Sequence, residues 1–268
     1  MGVRLVLVSK KEVALEVKVC PTKKLAGQAA AHAAAKLLRE AIAAKGKAVF
    51  VAATGASMFD FLEALVTEPG IDWSKTEMFH LDEYVGISAE HPASFRRYLR
   101  ERFVDKVSPG QVYWLQGDAP DIKAECARVG NLIRSKEVDV AFVGIGENGH
   151  LAFNDPPADF ETEEPYVIVE LDRKSREQQI REGWFASLDE VPRQAISMSV
   201  KQIMNSKHIV AIVPEKRKAW AVKQCLEGPV SPQLPASILR CHKNVQLFLD
   251  QESASLLDPS KGKEFIVT

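Results

Sequence analysis

The sequence predicts an α/β chain: one doubly wound, mostly parallel, Rossmann-like sheet with helices on both faces. Two patterns carry that expectation. Apolar, β-branched runs such as Val140–Val143 and His208–Val213 are continuous rather than alternating, as strands buried on both faces require. Each run gives way to a turn of small residues or proline and then to a helical pattern, the alternation that builds a parallel sheet. No Pro/Gly/Ser-rich linker and no internal repeat divides the 268 residues, so they read as a single domain.

Taken in order, Val3–Val8 is short and rich in β-formers. Residues 22–44, dominated by Ala, Lys, Leu and Glu, form a long helix capped by Thr22, with His32 an ordinary helix residue among the alanines. Residues 48–53 are a buried strand running into Thr54-Gly55-Ala56-Ser57 and an amphipathic helix that ends at Val66. Residues 77–81 are the next strand, ending at Asp82-Glu83-Tyr84-Val85-Gly86. After His91-Pro92 comes a helix carrying Ser94, Arg96, Arg97 and Arg100. Its basic face reads as surface or as a contact between copies in a homo-oligomer. Residues 121–136, opened by Asp121, are helical, and the strand after them stops at Gly144-Ile145-Gly146. Asp159, Glu161, Glu163 and Glu164 form an acidic stretch without periodicity, and a lid over 155–185 is expected. A strand at 167–171, a helix at 173–180, a strand at 195–199 and a helical turn at Val200–Met204 follow. Pro214 breaks the strand His208–Val213; the helix at 215–226 then opens on Lys216, Arg217 and Lys218, and 245–249 is the last strand. The tail from residue 258 is expected to be loosely held.

Bulk properties exclude several classes. A formal net charge of −1 lacks the basic footprint of a nucleic-acid binder. No apolar run approaches the ~20 residues that span a bilayer, and the N-terminus lacks a signal-peptide plan, so a cytoplasmic protein with no membrane partner is expected. The four cysteines form no Cys-x-x-Cys pair and read as reduced core thiols. His80, His91 and His150 keep no ligand spacing with Cys or Glu, so no metal is expected. The glycines at 144, 146 and 149 have the spacing of a dinucleotide fingerprint but are followed by His150 rather than by a helix start, and no Gly-x-Ser-x-Gly elbow is present, which argues against a dinucleotide cofactor and a hydrolase nucleophile.

Chemistry-bearing residues collect at strand ends. In an open parallel sheet, ligands bind beyond the carboxyl ends of the strands. There the turn after Val143 delivers an amide (Asn148), an imidazole (His150) and a carboxylate (Asp155) within eight residues. Of the adjacent acids Asp82 and Glu83, only one can face a given crevice; Asp82 is assigned to it and Glu83 to a structural partner. The turn bearing Thr54 and Ser57 suits an oxyanion, although Ser57 serves equally as a helix cap. Cations at the positive end of the helix near residue 215 are unfavourable unless an anion is shared, which makes Lys218 a second arm of that site. A carboxylate and an imidazole beside a phosphate cradle suit proton transfer on a small phosphorylated sugar, as in aldose–ketose isomerisation.

At these residues a family resemblance emerges. Thr54-Gly55-Ala56-Ser57, Leu81-Asp82-Glu83-Tyr84-Val85-Gly86, His91-Pro92-x-Ser94 and Gly144-Ile145-Gly146-x-Asn148-Gly149-His150-x-Ala152-Phe153-Asn154 resemble glucosamine-6-phosphate deaminases. The resemblance implies the sugar-phosphate isomerase/deaminase fold, and hydrolytic deamination of glucosamine 6-phosphate to fructose 6-phosphate and ammonium without a cofactor. It implies that His150 opens the pyranose ring and that Asp82 carries a proton between C2 and C1. Thr54, Gly55, Ala56, Ser57 and Lys218 match the phosphate-holding positions, and an arginine from 173–181 joins them, with Arg176 preferred over Arg181. Two departures stand out. Asn148 replaces the Asp of many relatives, and as an amide it can only orient His150. Asp155 replaces the usual Glu and is shorter by roughly 1.5 Å of reach, so either the loop sits closer or the contact with His150 weakens. Three other readings share part of the pattern: a deaminase for galactosamine 6-phosphate, a 6-phosphogluconolactonase, and a non-catalytic sugar-phosphate sensor. The lactonase pattern after the Gly-His pair differs from Leu-Ala-Phe-Asn, and a sensor lacks room here for a DNA-binding helix pair.

Overall fold

Strands with no polar alternation need cover on both faces, and the chain supplies it by inserting a helix between most successive strands. The computed structural model describes residues 3–8 and 14–260. In chain order the elements are β1 (Val3–Val8), β2 (Ala14–Cys20), α1 (Lys23–Lys45), β3 (Ala48–Ala52), α2 (Phe59–Leu65), β4 (Thr76–His80), β5 (Asp82–Tyr84), α3 (Phe95–Leu99), α4 (Asp105–Val107), β6 (Gln111–Tyr113), α5 (Ile122–Arg134), β7 (Val140–Val143), β8 (Tyr166–Glu170), α6 (Arg173–Arg181), β9 (Gln194–Met198), α7 (Val200–Met204), β10 (His208–Val213), α8 (Ala219–Glu227) and β11 (Asn244–Asp250). Thr22 caps α1, accepting from the Leu25 N–H, and Asp121 caps α5, accepting from Ala124.

The main sheet has the order β1-β2-β11-β10-β7-β3-β4-β6, parallel throughout except for the edge strand β1. From β3 the chain winds outward to β4 and β6, then returns to β7 on the other flank of β3 and winds outward to β10 and β11. The direction therefore reverses between β3 and β7, and a crevice opens beyond their carboxyl ends. Every residue of β3 and β7 is buried. Their rings Phe50 and Phe142 meet at 5.5 Å, and Phe61 of α2 packs on Phe142 at 5.1 Å. Each such buried ring contributes about 2–3 kcal/mol, so the walls of the crevice are rigid.

Several elements depart from the sequence reading. β2 and β6 were not anticipated. The strands expected at 167–171 and 195–199 do not join the main sheet; as β8 and β9 they form a separate antiparallel sheet with β5, in the order β5-β9-β8. The reason is that β5 continues directly from β4 past the rim, where the main sheet offers it no partner. The helix expected at 215–226 opens as a 3-10 turn, Lys216–Lys218, and becomes α-helical only at Ala219. Cys20, Cys126 and Cys225 are buried, whereas Cys241 is exposed rather than in the core. The basic face near residue 96 is self-neutralised. Arg96 is buried against Glu83 and Asp118, Arg97 pairs with Glu101, and Arg100 pairs with Glu90. Of the tail expected to be loose, residues 261–268 lie outside the described residues.

Candidate active site

Four strand ends meet at the crevice. Thr54, Gly55, Ala56 and Ser57 follow β3, Asp82 follows β4, Gly144, Ile145, Gly146 and His150 follow β7, and Arg217 and Lys218 follow β10; all of them line one pocket. The turns after β3 and β7 touch, for a Cβ on Gly144 would lie 3.2 Å from Ser57 Oγ. Neither the 3-10 turn Ala56–Met58 nor α2 has a side-chain cap, so the Ser57 hydroxyl is not spent on the helix. Tyr98 donates to the Gly55 carbonyl at 2.9 Å and pins the loop from the side.

The alternation of β5 separates the two adjacent acids. Glu83 points away from the pocket and accepts from Ser94 Oγ (2.8 Å), from the N–H groups of Phe95 and Arg96, and from Arg96 Nε. It is the structural anchor expected of it. Asp82, held in register opposite Ser197, points into the pocket. Its Oδ1 has no hydrogen-bond partner among the described residues. Burial, reinforced by the neighbouring charge of Glu83, pushes its pKa up to about 8. A desolvated, unpartnered carboxyl at a strand end is a base of raised strength.

His150 lies across the pocket mouth of β7. Its Nδ1 stands 3.2 Å from Asp155 Oδ1. The shorter acid thus still reaches the imidazole. With Nδ1–H donated to Asp155, the lone pair of the neutral ring is on Nε2. Asp155 Oδ1 also accepts from Asn148 Nδ2 (3.0 Å) and Ser175 Oγ (2.5 Å), and Oδ2 accepts from the Asp172 N–H (3.1 Å). Burial alone would raise the Asp155 pKa, but its bonds to His150, Ser175 and Asn148 outweigh that and set it at about 2. Asn148 makes no hydrogen bond to the imidazole ring. It works through Asp155 and through its Oδ1, which accepts the His150 backbone N–H at 3.1 Å.

Gly146 is required by this packing, since an added Cβ would lie 2.2–2.4 Å from three atoms of the His150 ring. Gly146→Ala is expected to push the imidazole out of line and cut turnover by about 10²-fold, the cost of a misplacement near 1 Å. Steady-state kinetics with a melting curve checks this; normal turnover in a normally folded variant would show that the ring position is unimportant.

Arg176 requires a correction. Its guanidinium is bonded to the backbone carbonyls of Leu188 and Val191, and it does not line the pocket. Arg181 is no substitute, because it pairs with Glu147 outside the pocket at 3.0 Å. What α6 and the residue after it contribute instead are Gln178, Gln179 and Glu182, none of them anticipated. A signal was present: the buried residues of α6 are Ser175, Gln178 and Gln179, and a nine-residue helix whose only apolar residue is Ile180 must face a polar cavity rather than a core. Arg217 was also missed as a site residue. Lys218 is placed as expected, buried in the pocket wall with its pKa lowered to about 8 by burial and by Arg217. Phe95 and Phe153, stacked at 5.6 Å, close the apolar side.

Residues 21–248 match the family described as glucosamine-6-phosphate isomerases/6-phosphogluconolactonase. A glucosamine-6-phosphate deaminase of Exiguobacterium sp. is 38% identical over 82% of this chain and 84% of its own length. That of Streptococcus uberis is 38% identical over 83% and 92%. Among solved structures, a monomeric glucosamine-6-phosphate deaminase is 33% identical and superposes with a TM-score of 0.82, covering 90% of this chain and 99% of the other. A 6-phosphogluconolactonase from Shewanella baltica, 23% identical with a TM-score of 0.74 over 90% and 98%, shares the fold. The extent of the family match and the identity to these deaminases place the chain in one family: it belongs to the glucosamine-6-phosphate isomerases and 6-phosphogluconolactonases.

Proposed function

We propose that this chain is a glucosamine-6-phosphate deaminase, converting glucosamine 6-phosphate and water to fructose 6-phosphate and ammonium. The phosphate is held by the turn Thr54, Gly55, Ala56, Ser57 and by Lys218. His150, through Nε2, shuttles the proton between the anomeric hydroxyl and the ring oxygen as the pyranose opens. Asp82 then takes the proton from C2 of the open-chain aldehyde, the C2–H electron pair forms a C1=C2 double bond, and the C1 oxygen takes up a proton released by the C2 ammonium group. Return of the proton held on Asp82 to C1 leaves an iminium ion at C2. Water adds to it and ammonia departs, giving the ketone. Asp155, Asn148 and Ser175 keep His150 in the competent tautomer.

Asp82 is the observation that carries this reading. Lactone hydrolysis moves no proton between carbon atoms and would leave a buried, unpartnered carboxyl of raised pKa without a task. The galacto epimer is the nearest competing substrate. We read residues 155–185 as a lid, because α6 from that segment forms one wall of the pocket. Among the described residues no helix is long and apolar enough to cross a membrane, in keeping with action in the cytoplasm.

An ammonium-release assay on glucosamine 6-phosphate, beside galactosamine 6-phosphate and 6-phosphogluconolactone, tests the proposal. Ammonium from the gluco substrate is the expected result. Lactone hydrolysis without ammonium release, or preference for the galacto epimer, overturns it.

A further inference from the structure

The phosphate reading asks for an arginine beside Lys218, and α6 does not supply one. We propose that Arg217 is the second cation of the anion site and that Glu182 is the residue that aims it, an inference resting on the phosphosugar reading above. Its basis is the unusual way the chain turns after β10. Glu215 is held at φ 80°, ψ 141°, a strained conformation essentially confined to glycine. The buried carboxylate of Asp250 enforces it by accepting the Glu215 N–H on both oxygens, at 3.1 and 3.2 Å. This bend brings Arg217 and Lys218, adjacent in sequence, into the same pocket wall.

Arg217 is fixed from one side. Its Nε donates to Glu215 at 2.7 Å, and its Nη1 donates to Glu182 at 2.6 Å and Glu147 at 3.1 Å. Its Nη2 makes no hydrogen bond among the described residues, which leaves two N–H donors on a pre-oriented, permanently charged plane. Glu182 is the pivot of that arrangement. It is buried in the pocket wall and is itself held by Gln178 Nε2 (2.8 Å) and Trp184 Nε1 (3.2 Å). Among the described residues Lys218 makes no direct ion pair, although Glu182, Glu147 and Glu215 are near enough to act on it, so the wall presents one clamped and one less constrained cation to a dianion. The position of α6 is thereby coupled to the aim of the guanidinium.

Inorganic phosphate serves as the probe, titrated by calorimetry into the full chain and its variants. Arg217→Gln is expected to weaken phosphate binding by about 10-fold or more and to raise KM for glucosamine 6-phosphate by a like factor, with kcat held within about threefold. Arg217→Lys, which keeps charge but loses the fork, is expected to lose about three- to tenfold, as is Glu182→Gln, with Glu182→Asp recovering part of the loss. A folded Arg217→Gln or Arg217→Lys variant that binds phosphate like the wild type overturns the inference while leaving the deaminase reading intact. A wild-type chain that binds no phosphate removes the phosphosugar reading itself, and this inference with it.

Discussion

Asp82→Asn is expected to lose at least about 10³-fold in kcat while unfolding at a higher temperature than the wild-type protein. Both effects come from one observation, a carboxyl buried without a hydrogen-bond partner and with its pKa at about 8. As a base for a C–H proton it gains from that raised basicity, and an amide cannot accept the proton at all. The sign of the stability effect follows from linkage. The folded-state pKa lies above the unfolded value, so between roughly pH 4 and pH 8 the folded chain binds the extra proton. Stability therefore falls as pH rises through that window, and at neutral pH Asp82 is a cost that Asn removes; a gain of a few degrees is expected. Because about one molecule in ten holds the carboxylate at pH 7, kcat/KM of the wild type should rise with pH on a limb governed by a group near 8. A variant with near-normal turnover, or a wild-type limb flat from pH 6 to 9, would remove Asp82 from the mechanism.

The second large effect is expected from Asp155→Asn: a fall in kcat of about 10²–10⁴ with KM little changed. The substituted amide presents an N–H to Nδ1 as readily as an oxygen. The imidazole then carries its proton on Nε2, and the lone pair is lost from the pocket side. The same carboxylate also receives Asn148, Ser175 and the Asp172 N–H, so the variant should melt lower. Here the linkage runs the other way. The Asp155 pKa, at about 2, lies below its unfolded value, so its contribution is present above about pH 4 and is lost as pH falls toward 2. The wild type and variant should therefore converge in stability at strongly acidic pH. Unchanged kcat in a folded Asp155→Asn protein would show that the tautomer is set by something else.

The strand ends and their turns were legible because the signals are local. A buried strand followed by small residues announces its own end, and the opposite directions of adjacent side chains at a strand end are enough to divide Asp82 from Glu83. The separate sheet of β5, β8 and β9 was not legible, because continuous strand patterns do not say which sheet receives them. Arg176 shows a different failure. Arg173–Arg181 contains a single apolar residue, and the rotational phase of a helix is read from its apolar stripe; without one, no spacing argument could choose which of its cations faces inward. None of them lines the pocket.

What the sequence by itself determined was the family and a set of candidate residues, Asp82, His150 with Asp155, the turn after β3, and Lys218, of which all but Asp155 line one pocket. Each is specified by a few neighbours along the chain. Only the tertiary structure decided that Asp82 is desolvated and unpaired, that Asn148 acts through Asp155, and that Arg217 and Glu182 stand where α6 was expected to give an arginine. These properties arise where segments distant along the chain converge at the reversal between β3 and β7, and pairings set by packing over such distances leave no periodic trace in either segment.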